Sequence, residues 1–374
     1  MRLLILSCNT GEGHNSAARA VKDAFEEQGS SCDIKDTLAY WSPSKSKFIS
    51  TSHIFIYRRF PKLFGFGYRY EENHRPKKDG DESLIYEIVK RGCATLHAEL
   101  QMAEYDAVVC THVFSAMMMT EVRRRYGCRL KSYFVATDYT CSPGAGESEL
   151  DGYFIPHREL IDEFASCGVD RTKLFPTGIP IRKDFYTSLS RTQARERLCL
   201  PQDSRILLMM GGSMGCGPIK SVAQILPSRL IENTLLIIIC GSNRRLYNSL
   251  TKDPLPANVK ILGYTKDIPA YFDAADLLLT KPGGLSTTEA SVKNLPIVFI
   301  DAIPGCETRN RDFFIKCGYA QTRDNPDELC ALINECLGDP ELRQKQADAL
   351  KEDFVGCASR EIYEFICEEF VCKQ

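Results

Sequence analysis

The sequence of 374 residues has no long apolar run, no excess of charge of either sign and no C-x-x-C cysteine pair. No stretch approaches the roughly 18 apolar residues that a membrane-spanning helix needs, and the N-terminal apolar run is too short for a secretory signal. A formal net charge of -2 gives no overall attraction to nucleic acid. The 17 cysteines lie mostly in apolar segments, which is typical of a reducing compartment and not of a disulfide framework or a zinc site. We therefore expect a cytoplasmic protein.

The sequence does contain the pattern strand, glycine-rich loop and helix in each half. In the first half a predicted strand, Leu3–Cys8, leads into the polar loop Asn9–Ser16 and a helix predicted over Ala17–Gln28. In the second half the strand Arg205–Met210 leads into Gly211–Pro218, which contains four glycines. Continuous apolar strands of this kind indicate parallel sheets that are covered on both faces. The loop lacks the GK[ST] of a P-loop, which argues against that kind of ATP chemistry.

The length allows two domains with separate cores. A basic pair, Arg182-Lys183, is followed by a polar stretch and then by the second set of strands. We therefore predict an N-terminal domain over residues 1–183 and a C-terminal domain over 184–374. The last helix of the chain is expected either to stay with the second domain or to pack back on the first.

The stretch Leu277–Asn310 has the strongest predicted anion site. It is expected to form a strand ending at Thr280, a turn over Lys281–Gly284, a helix beginning near Leu285–Ser286, a strand over Pro296–Ile300 and a polar loop over Pro304–Asn310. A glycine turn before a helix leaves backbone N–H groups unpaired, and together with the positive end of the helix dipole they suit a phosphate. Glu289 lies about one turn into that helix, where a carboxylate could accept hydrogen bonds from a sugar. An ordinary strand–helix crossover is the alternative.

Four polar residues follow predicted strands of the first half and face one sheet edge. His14 precedes the first helix, and His112, Asp138 and His157 follow later strands. Ligands bind at the carboxyl ends of parallel strands in open α/β folds, so these residues predict a cleft. His14 could act as a general base for a hydroxyl nucleophile, since neutral imidazole is suited to that task near pH 7. A solvated residue beside a helix cap is the alternative.

Residues 41–81 mix aromatic and basic side chains and include the only tryptophan, Trp41. Three interpretations are open at this point. The segment could bind single-stranded nucleic acid by stacking and phosphate contacts. It could lie in a bilayer interface with its cations on anionic lipid. It could also be a packed helical excursion whose aromatic side chains belong to the core.

Five motifs give the chain a family resemblance that runs nearly end to end. They are GEGHNSA at Gly11–Ala17, TDYT at Thr137–Thr140, GGSMGCG at Gly211–Gly217, TKPGGLSTTEA at Thr280–Ala290 and PGCETRN at Pro304–Asn310. With them the chain resembles glycosyltransferases of family 28, above all the monogalactosyldiacylglycerol synthases and the processive diacylglycerol glucosyltransferases. The resemblance implies an α/β protein of the GT-B fold, with two Rossmann-like domains facing a cleft.

Carried over by position, the resemblance also implies roles for individual residues. His14 would be the base or an acceptor-site histidine, and Asp138 is the second catalytic candidate. In the donor site the glycine loop would meet the diphosphate, Tyr264 the uracil, Glu289 the ribose and Glu307 the sugar hydroxyls. The complete donor-binding set is Gly13, Gly212, Ser213, Gly215, Tyr264, Lys281, Gly283, Gly284, Ser286, Glu289, Glu307 and Asn310.

The implied reaction is an inverting transfer of a hexose from UDP-glucose or UDP-galactose to diacylglycerol or a glycosyl-diacylglycerol. It needs no metal and no cofactor, since the UDP-sugar is a substrate, and it involves no nucleic acid. Residues 41–78 would hold the protein on an anionic membrane surface, as a peripheral protein on the inner face of the cell membrane.

Two departures from the family pattern bear on specificity. Cys306 stands beside Glu307 where glutamine is common, and a thiol cannot present an amide's paired donor and acceptor. The loop Ser142–Glu149 lacks the bulky aromatic residue often found there. Two other functions remain open: transfer of N-acetylglucosamine to a polyprenyl-linked precursor, and a UDP-sugar-binding regulator with little turnover.

Overall fold

The computed structural model describes residues 1–73, 84–212, 215, 217–254 and 256–371. The chain divides into two compact units. The first comprises Met1–Arg182, Pro304–Cys306 and Gly356–Gln374, and the second comprises Lys183–Ile303 and Glu307–Val355. The division after Arg182 is one residue from the predicted boundary. The C-terminal segment from Gly356 belongs with the first unit.

The first unit is built on a parallel sheet with the strand order β2-β1-β3-β4-β5-β6. Its strands are β1 (Arg2–Ser7), β2 (Ser31–Asp36), β3 (Ala107–Cys110), β4 (Lys131–Val135), β5 (Gly152–Phe154) and β6 (Leu174–Phe175). Its helices up to residue 182 are α1 (Glu12–Glu26), α2 (Pro43–Arg59), α3 (Pro61–Asn73), α4 (Leu84–Lys90), α5 (Cys93–Met102), α6 (Val113–Tyr126) and α7 (Ile161–Ser166).

The second unit has a parallel sheet with the order β12-β11-β10-β7-β8-β9. Its strands are β7 (Arg205–Met210), β8 (Thr234–Ile239), β9 (Val259–Leu262), β10 (Leu277–Thr280), β11 (Ile297–Phe299) and β12 (Ala320–Thr322). Its helices are α8 (Arg191–Arg197), α9 (Ile219–Ile225), α10 (Arg244–Leu250), α11 (Ile268–Ala274), α12 (Gly284–Val292), α13 (Cys306–Lys316), α14 (Pro326–Gly338) and α15 (Pro340–Asp353). The last helix of the chain is α16 (Ala358–Val371).

Helix α16 completes the core of the first unit. Ile362 and Ile366 are fully buried in the cluster that contains Val21 and Phe25 of α1. Burying a side chain of this kind contributes roughly 1.5–3 kcal/mol. The second unit has its own core between its sheet and helices such as α14. None of the described helices is both long enough and apolar enough to cross a bilayer.

Three predicted elements differ from the observed ones. Helix α1 begins at Glu12, not Ala17, so His14 lies in its first turn. The sequence also predicts one amphipathic helix over Glu82–Leu100, but the described part of that range forms two helices, α4 and α5, separated at Arg91–Gly92. Gly92 is closely packed, since a Cβ there would lie 2.7 Å from the Met118 Cε and 3.2 Å from the Trp41 amide nitrogen. The loop predicted over Pro304–Asn310 is wrong, since α13 begins at Cys306.

Strand β2 was not predicted from the sequence. Its residues, SCDIKD, alternate apolar and polar side chains, and the strand lies at the edge of the sheet. An edge strand is half solvated, so it lacks the continuous apolar run that identifies the inner strands.

Candidate active site

His14 is held by groups that follow two neighbouring strands. Its Nδ1 lies 3.0 Å from the carbonyl oxygen of Thr111, just after β3, and 2.8 Å from the hydroxyl oxygen of Thr137, just after β4. A carbonyl oxygen only accepts hydrogen bonds, so Nδ1 carries the proton and donates to Thr111. The lone pair of the neutral ring is therefore on Nε2, which is the arrangement that a general base needs.

Burial keeps this imidazole neutral. The pKa of His14 is lowered from 6.5 to about 4. Loss of solvent is the main cause, the hydrogen bond to Thr111 opposes the shift, and neighbouring His53 adds a smaller lowering. A histidine with this pKa is unprotonated at pH 7. His14 is therefore already in its basic form in the physiological range.

His112 supports His14, and both of its ring nitrogens serve structural bonds. Its Nδ1 accepts the backbone N–H of Phe114 at 3.0 Å, so the ring caps α6. Its Nε2 must then carry the proton, and it lies 3.1 Å from the Thr10 hydroxyl. The ring meets His14 edge to face, with 4.4 Å between centroids. Burial lowers the pKa of His112 well below its usual value.

The other predicted residues of the first unit have different surroundings. His157 is a helix cap, since its Nδ1 accepts the backbone N–H of Glu159 at 3.2 Å. Asp138 is half-buried after β4, and its charge contributes to the raised pKa of Tyr68, which burial causes in the main. Gly13 precedes His14 in the first turn of α1. The catalytic role of Asp138 stays a prediction.

Two serines of helix α2 are buried, whereas two of its phenylalanines are exposed. Ser46 and Ser50 are 3% and 6% exposed, whereas Phe48 and Phe55 are 73% and 58% exposed. His53 lies on the inward side, one turn after Ser50, and its charge affects both His14 and His112. Sequence reasoning did not single out His53, although its spacing from the two serines, at i+7 and i+3, places it on their face of the helix.

The apolar side chains of α2 and α3 form one group, which we name the α2–α3 apolar surface. Each member is about half exposed or more; the members are Phe48, Phe55, Phe60, Leu63, Phe66 and Tyr70. The exposed aromatic rings are incompatible with the interpretation of the whole segment as packed core. Trp41 is the exception, because it is half-buried between cations, with the Lys45 Nζ 4.2 Å and the Arg91 guanidinium carbon 5.2 Å from its ring centroid.

In the second unit the glycine loop after β7 is most constrained at Gly215, where both the backbone conformation and the space require glycine. Gly215 has a left-handed backbone (φ 55°), and a Cβ there would lie 2.4 Å from the Cys240 carbonyl oxygen. The Asn243 side chain donates to the Gly215 carbonyl oxygen at 2.9 Å and holds the loop against the end of β8. Ser213 lies outside the described residues. Gly212 is also left-handed (φ 69°).

The turn after β10 lies beside this loop. A Cβ on Gly212 would be 3.6 Å from the Lys281 Cε and 3.8 Å from the Ser286 hydroxyl oxygen. Gly283 is the N-cap of α12, with no side-chain cap on the helix N-terminus, and Gly284 is the first residue of the helix. The structure therefore brings both predicted glycine segments of this unit together, as an anion site requires.

Lys281 and Glu307 form a buried ion pair in the same place. The Lys281 ammonium donates to the Glu307 Oε1, and the two side chains are 10% and 4% exposed. The Glu307 Oε2 accepts the backbone N–H of Ile303 at 3.0 Å. Asn310, one turn further along α13, donates to the Pro282 carbonyl oxygen at 3.0 Å. Helix α13 thus fixes the Lys281–Gly284 turn through two side chains.

Two further predicted donor residues belong to this unit. Glu289 is half-buried in the second turn of α12. Tyr264 is 73% exposed after β9, which is separated from β10 by two strands, or about 14 Å at normal strand spacing. Among the described residues no group of three or more His, Cys, Asp or Glu side chains could hold a metal ion.

Comparison with known proteins finds a matching family model in each of the two units. The family model described as monogalactosyldiacylglycerol (MGDG) synthase matches residues 14–181, and the model described as glycosyl transferases group 1 matches residues 217–353. The structure of MurG from Acinetobacter baumannii superposes with a TM-score of 0.65 at 15% identity, covering 98% of this chain and 99% of that one. The predicted GT-B fold is therefore confirmed.

Two relatives are similar over almost the whole chain. A processive diacylglycerol beta-glucosyltransferase of Bacillus pumilus is 25% identical over 375 residues, covering 98% of this chain and 95% of the relative. The chloroplastic monogalactosyldiacylglycerol synthase of Spinacia oleracea is 26% identical over 367 residues, covering 94% of this chain and 69% of the relative. Over almost its whole length the chain is therefore similar to the monogalactosyldiacylglycerol synthases and the processive diacylglycerol glucosyltransferases.

Proposed function

We propose that the protein transfers a hexose from a UDP-sugar to diacylglycerol and makes a β-glycolipid at a membrane surface. The observation that carries the proposal is the state of His14: a neutral ring with its proton on Nδ1 and its lone pair on Nε2. A lipid hydroxyl is a weak nucleophile near pH 7 and needs such a base. The names of the full-length relatives support diacylglycerol as the acceptor.

In the proposed reaction His14 Nε2 takes the proton of the acceptor hydroxyl. The oxygen forms a bond to the anomeric carbon of the hexose while the bond from that carbon to the β-phosphate oxygen breaks. Attack opposite to the leaving group inverts the configuration. UDP leaves with the bonding electrons, and the His14 proton passes to solvent.

The turn at α12 suits the leaving group. Negative charge grows on the diphosphate as UDP departs, and fixed backbone N–H groups at a helix N-terminus stabilise such charge without reorganising. Gly212 and Gly283 place no side chain at this turn, and the N-terminus of α12 has no side-chain cap. We propose that these groups act without a bound metal, so that EDTA should leave the rate of transfer unchanged.

The α2–α3 apolar surface suits a peripheral contact with the cytoplasmic face of a membrane. Residues 41–70 contain no Asp or Glu but carry Lys45, Lys47, Arg58, Arg59, Lys62 and Arg69. Aromatic rings at headgroup depth and cations on anionic lipid are the two forces that hold interfacial helices. The inward polar side of α2 would then face the acceptor's head group. Replacing Phe48 and Phe55 by Ser should weaken co-sedimentation with anionic liposomes but leave UDP affinity unchanged.

The deciding experiment measures UDP release and glycolipid formation by purified protein on anionic liposomes that contain diacylglycerol. UDP-glucose, UDP-galactose and UDP-N-acetylglucosamine are compared. Release that requires diacylglycerol and one hexose donor is the expected result, and it identifies the sugar. UDP binding without release would contradict the proposal and favour a regulator. Activity only with UDP-N-acetylglucosamine and a polyprenyl-linked acceptor would also contradict it.

A further inference from the structure

Four side-chain hydrogen bonds join the ends of strands β1 and β2 to helices α1 and α2. The Ser7 hydroxyl donates to the Asn15 side-chain oxygen at 2.7 Å, and the Asn15 amide donates to the Asn9 side-chain oxygen at 3.0 Å. The Asn9 amide donates to the Asp36 Oδ2 at 3.0 Å, and the Ser46 hydroxyl donates to the same oxygen. We name these five residues the asparagine network.

The carboxylate of Asp36 fixes the direction of the asparagine network. A carboxylate only accepts hydrogen bonds, so Asn9 must turn its amide nitrogen toward Asp36. The Asn9 oxygen then faces Asn15, which must present its own nitrogen and leave its oxygen for the Ser7 hydroxyl. Neither amide can therefore be turned over without placing two hydrogen-bond acceptors against each other.

One end of the asparagine network holds the first turn of α1, which contains His14. The N-cap residue of this turn, Gly11, has no side chain that could cap the helix. Helix ends leave backbone N–H groups unsatisfied and they fray unless other groups hold them. Asn15 directly follows His14, and its two bonds tie this turn to the last residue of β1 and to the loop before the helix.

The other end of the asparagine network holds α2. Ser46 lies in the first turn of that helix and is buried. Asp36 is the last residue of β2, and its second oxygen accepts the backbone N–H of Leu38 at 3.3 Å. One carboxylate therefore fixes α2 directly and, through two asparagines, fixes the turn that carries His14.

We propose that Asn15 is a positioning residue for His14 and that Asn9 and Asp36 set its orientation. The inference rests on the proposed function and names residues that this function does not assign. The asparagine network holds the first turns of α1 and α2 in a fixed arrangement, so that His14 Nε2 meets the acceptor hydroxyl at hydrogen-bonding distance. None of the three residues takes part in proton transfer. Their effect is on geometry, and a displacement of about 1 Å can lower an enzymatic rate by about a hundredfold.

Two variants test the direction of the asparagine network. Asn15→Asp places a carboxylate oxygen against the Asn9 oxygen, and turning Asn9 over only moves the repulsion to Asp36. The double variant Asn15→Asp/Asp36→Asn removes the repulsion. Asn9 then turns over, donates to the new carboxylate and accepts from the new amide at position 36. The Ser46 hydroxyl accepts from the same amide, because a hydroxyl can donate or accept.

Ser16→Asp is the matched control for the added negative charge. Ser16 lies in the same turn of α1, two residues after His14, but it is not part of the asparagine network. Its hydroxyl accepts a hydrogen bond from the Arg19 guanidinium at 3.0 Å, so a carboxylate there has a partner. Asn9→Ala is a second test of the network, because Asn9 is exposed and its truncation leaves no cavity.

The kinetic experiment measures kcat and the KM of the UDP-hexose, with diacylglycerol in detergent micelles as the acceptor. Asn15→Asp should lower kcat at least about tenfold through displacement of the base. The KM of the UDP-hexose should stay the same, because the asparagine network belongs to the first unit and the diphosphate site to the second. The double variant should recover most of kcat, Asn9→Ala should lower kcat less than Asn15→Asp does, and Ser16→Asp should leave kcat unchanged.

A spectroscopic experiment separates positioning from a general loss of stability. The chain has six histidines, so nitrogen NMR of protein with isotope-labelled histidine can resolve the rings, and His14→Ala assigns the His14 signal. In the wild type, Nδ1 of His14 should carry the proton, as its bond to the Thr111 carbonyl requires. Asn15→Asp and Asn9→Ala should each give a mixture of the two tautomers. The double variant should restore the single tautomer.

Three results would overturn the inference. A double variant no better than Asn15→Asp would show that the direction of the asparagine network does not matter. An equal loss of kcat in Ser16→Asp would assign the effect to the added charge. A single His14 tautomer in both Asn15→Asp and Asn9→Ala would show that the network does not hold the ring. If the wild type transfers no hexose, the proposed function fails by itself, while the His14 tautomers of the variants still test the positioning role.

Discussion

The two units of this enzyme differ in what forms their proposed sites: side chains in the first unit and backbone in the second. In the first unit the proposed base is a side chain: His14 is held by Thr111 and Thr137 and contacts His112. In the second unit the proposed anion site is formed by the backbone of Gly212 and of the α12 N-terminus, and side chains such as Glu307 hold that backbone in place. A proton acceptor must be a particular side chain, whereas an anion site needs bare N–H groups. The comparison therefore predicts that substitutions in the first site lower kcat, whereas substitutions in the second site weaken UDP binding.

The largest expected effect is that of His14→Ala. Removing the base should lower kcat by about a hundredfold to ten-thousandfold. UDP affinity, measured by calorimetry, should stay the same, because His14 belongs to the first unit and the diphosphate site to the second. If His14→Ala also weakened UDP binding, the prediction that His14 acts only in the chemical step would be contradicted.

The second prediction concerns the buried ion pair of the second unit. Glu307→Gln leaves the Lys281 ammonium buried without its carboxylate, which should lower the free energy of unfolding by about 3–5 kcal/mol. Urea denaturation followed by circular dichroism measures this loss. The double variant Lys281→Met/Glu307→Gln removes both charges and should recover much of the stability. If the single variant is as stable as the wild type, the pair has no structural role.

A smaller effect is expected from Gly215→Ala. The added Cβ would meet the Cys240 carbonyl, and the left-handed backbone is unfavourable for alanine. The loop must shift at a cost of about 1–3 kcal/mol, so UDP should bind roughly 5- to 100-fold more weakly. Gly217→Ala is the control, because its backbone is left-handed too but a Cβ there meets nothing within 4 Å. Equal effects of the two variants would show that backbone strain alone matters.

The smallest expected change is the response of kcat/KM to mild acid. The folded-state pKa of His14 is lowered to about 4, so the base stays unprotonated above that pH and protonates as the pH falls through 4. A solvated histidine would lose most of its basic form by about pH 5.5, one unit below its usual value. We expect less than a twofold loss of kcat/KM between pH 7 and pH 5.5. An acid limb near pH 6.5 would mean that His14 is solvated or is not the base.

Much of the fold was predictable because parallel inner strands have continuous apolar runs. Strand β7 has the predicted bounds, Arg205–Met210, and strand β10 ends at Thr280 as predicted. Strand β2, at the sheet edge, has no such run, and α13 begins inside a segment whose polar residues suggested a loop. In these two places tertiary contacts decide the local structure.

The sequence by itself determined the GT-B fold, the family resemblance and the residue types placed after the strands, because these depend on local pattern and spacing. Only the tertiary structure decided what those residues do for one another. In the folded protein His112 and His157 cap helices, and Lys281 pairs with Glu307. His53 affects the pKa of His14 although the two residues are 39 positions apart along the chain. The physical reason is that tautomer, pKa and pairing depend on burial and on partners distant in sequence, which no local pattern records.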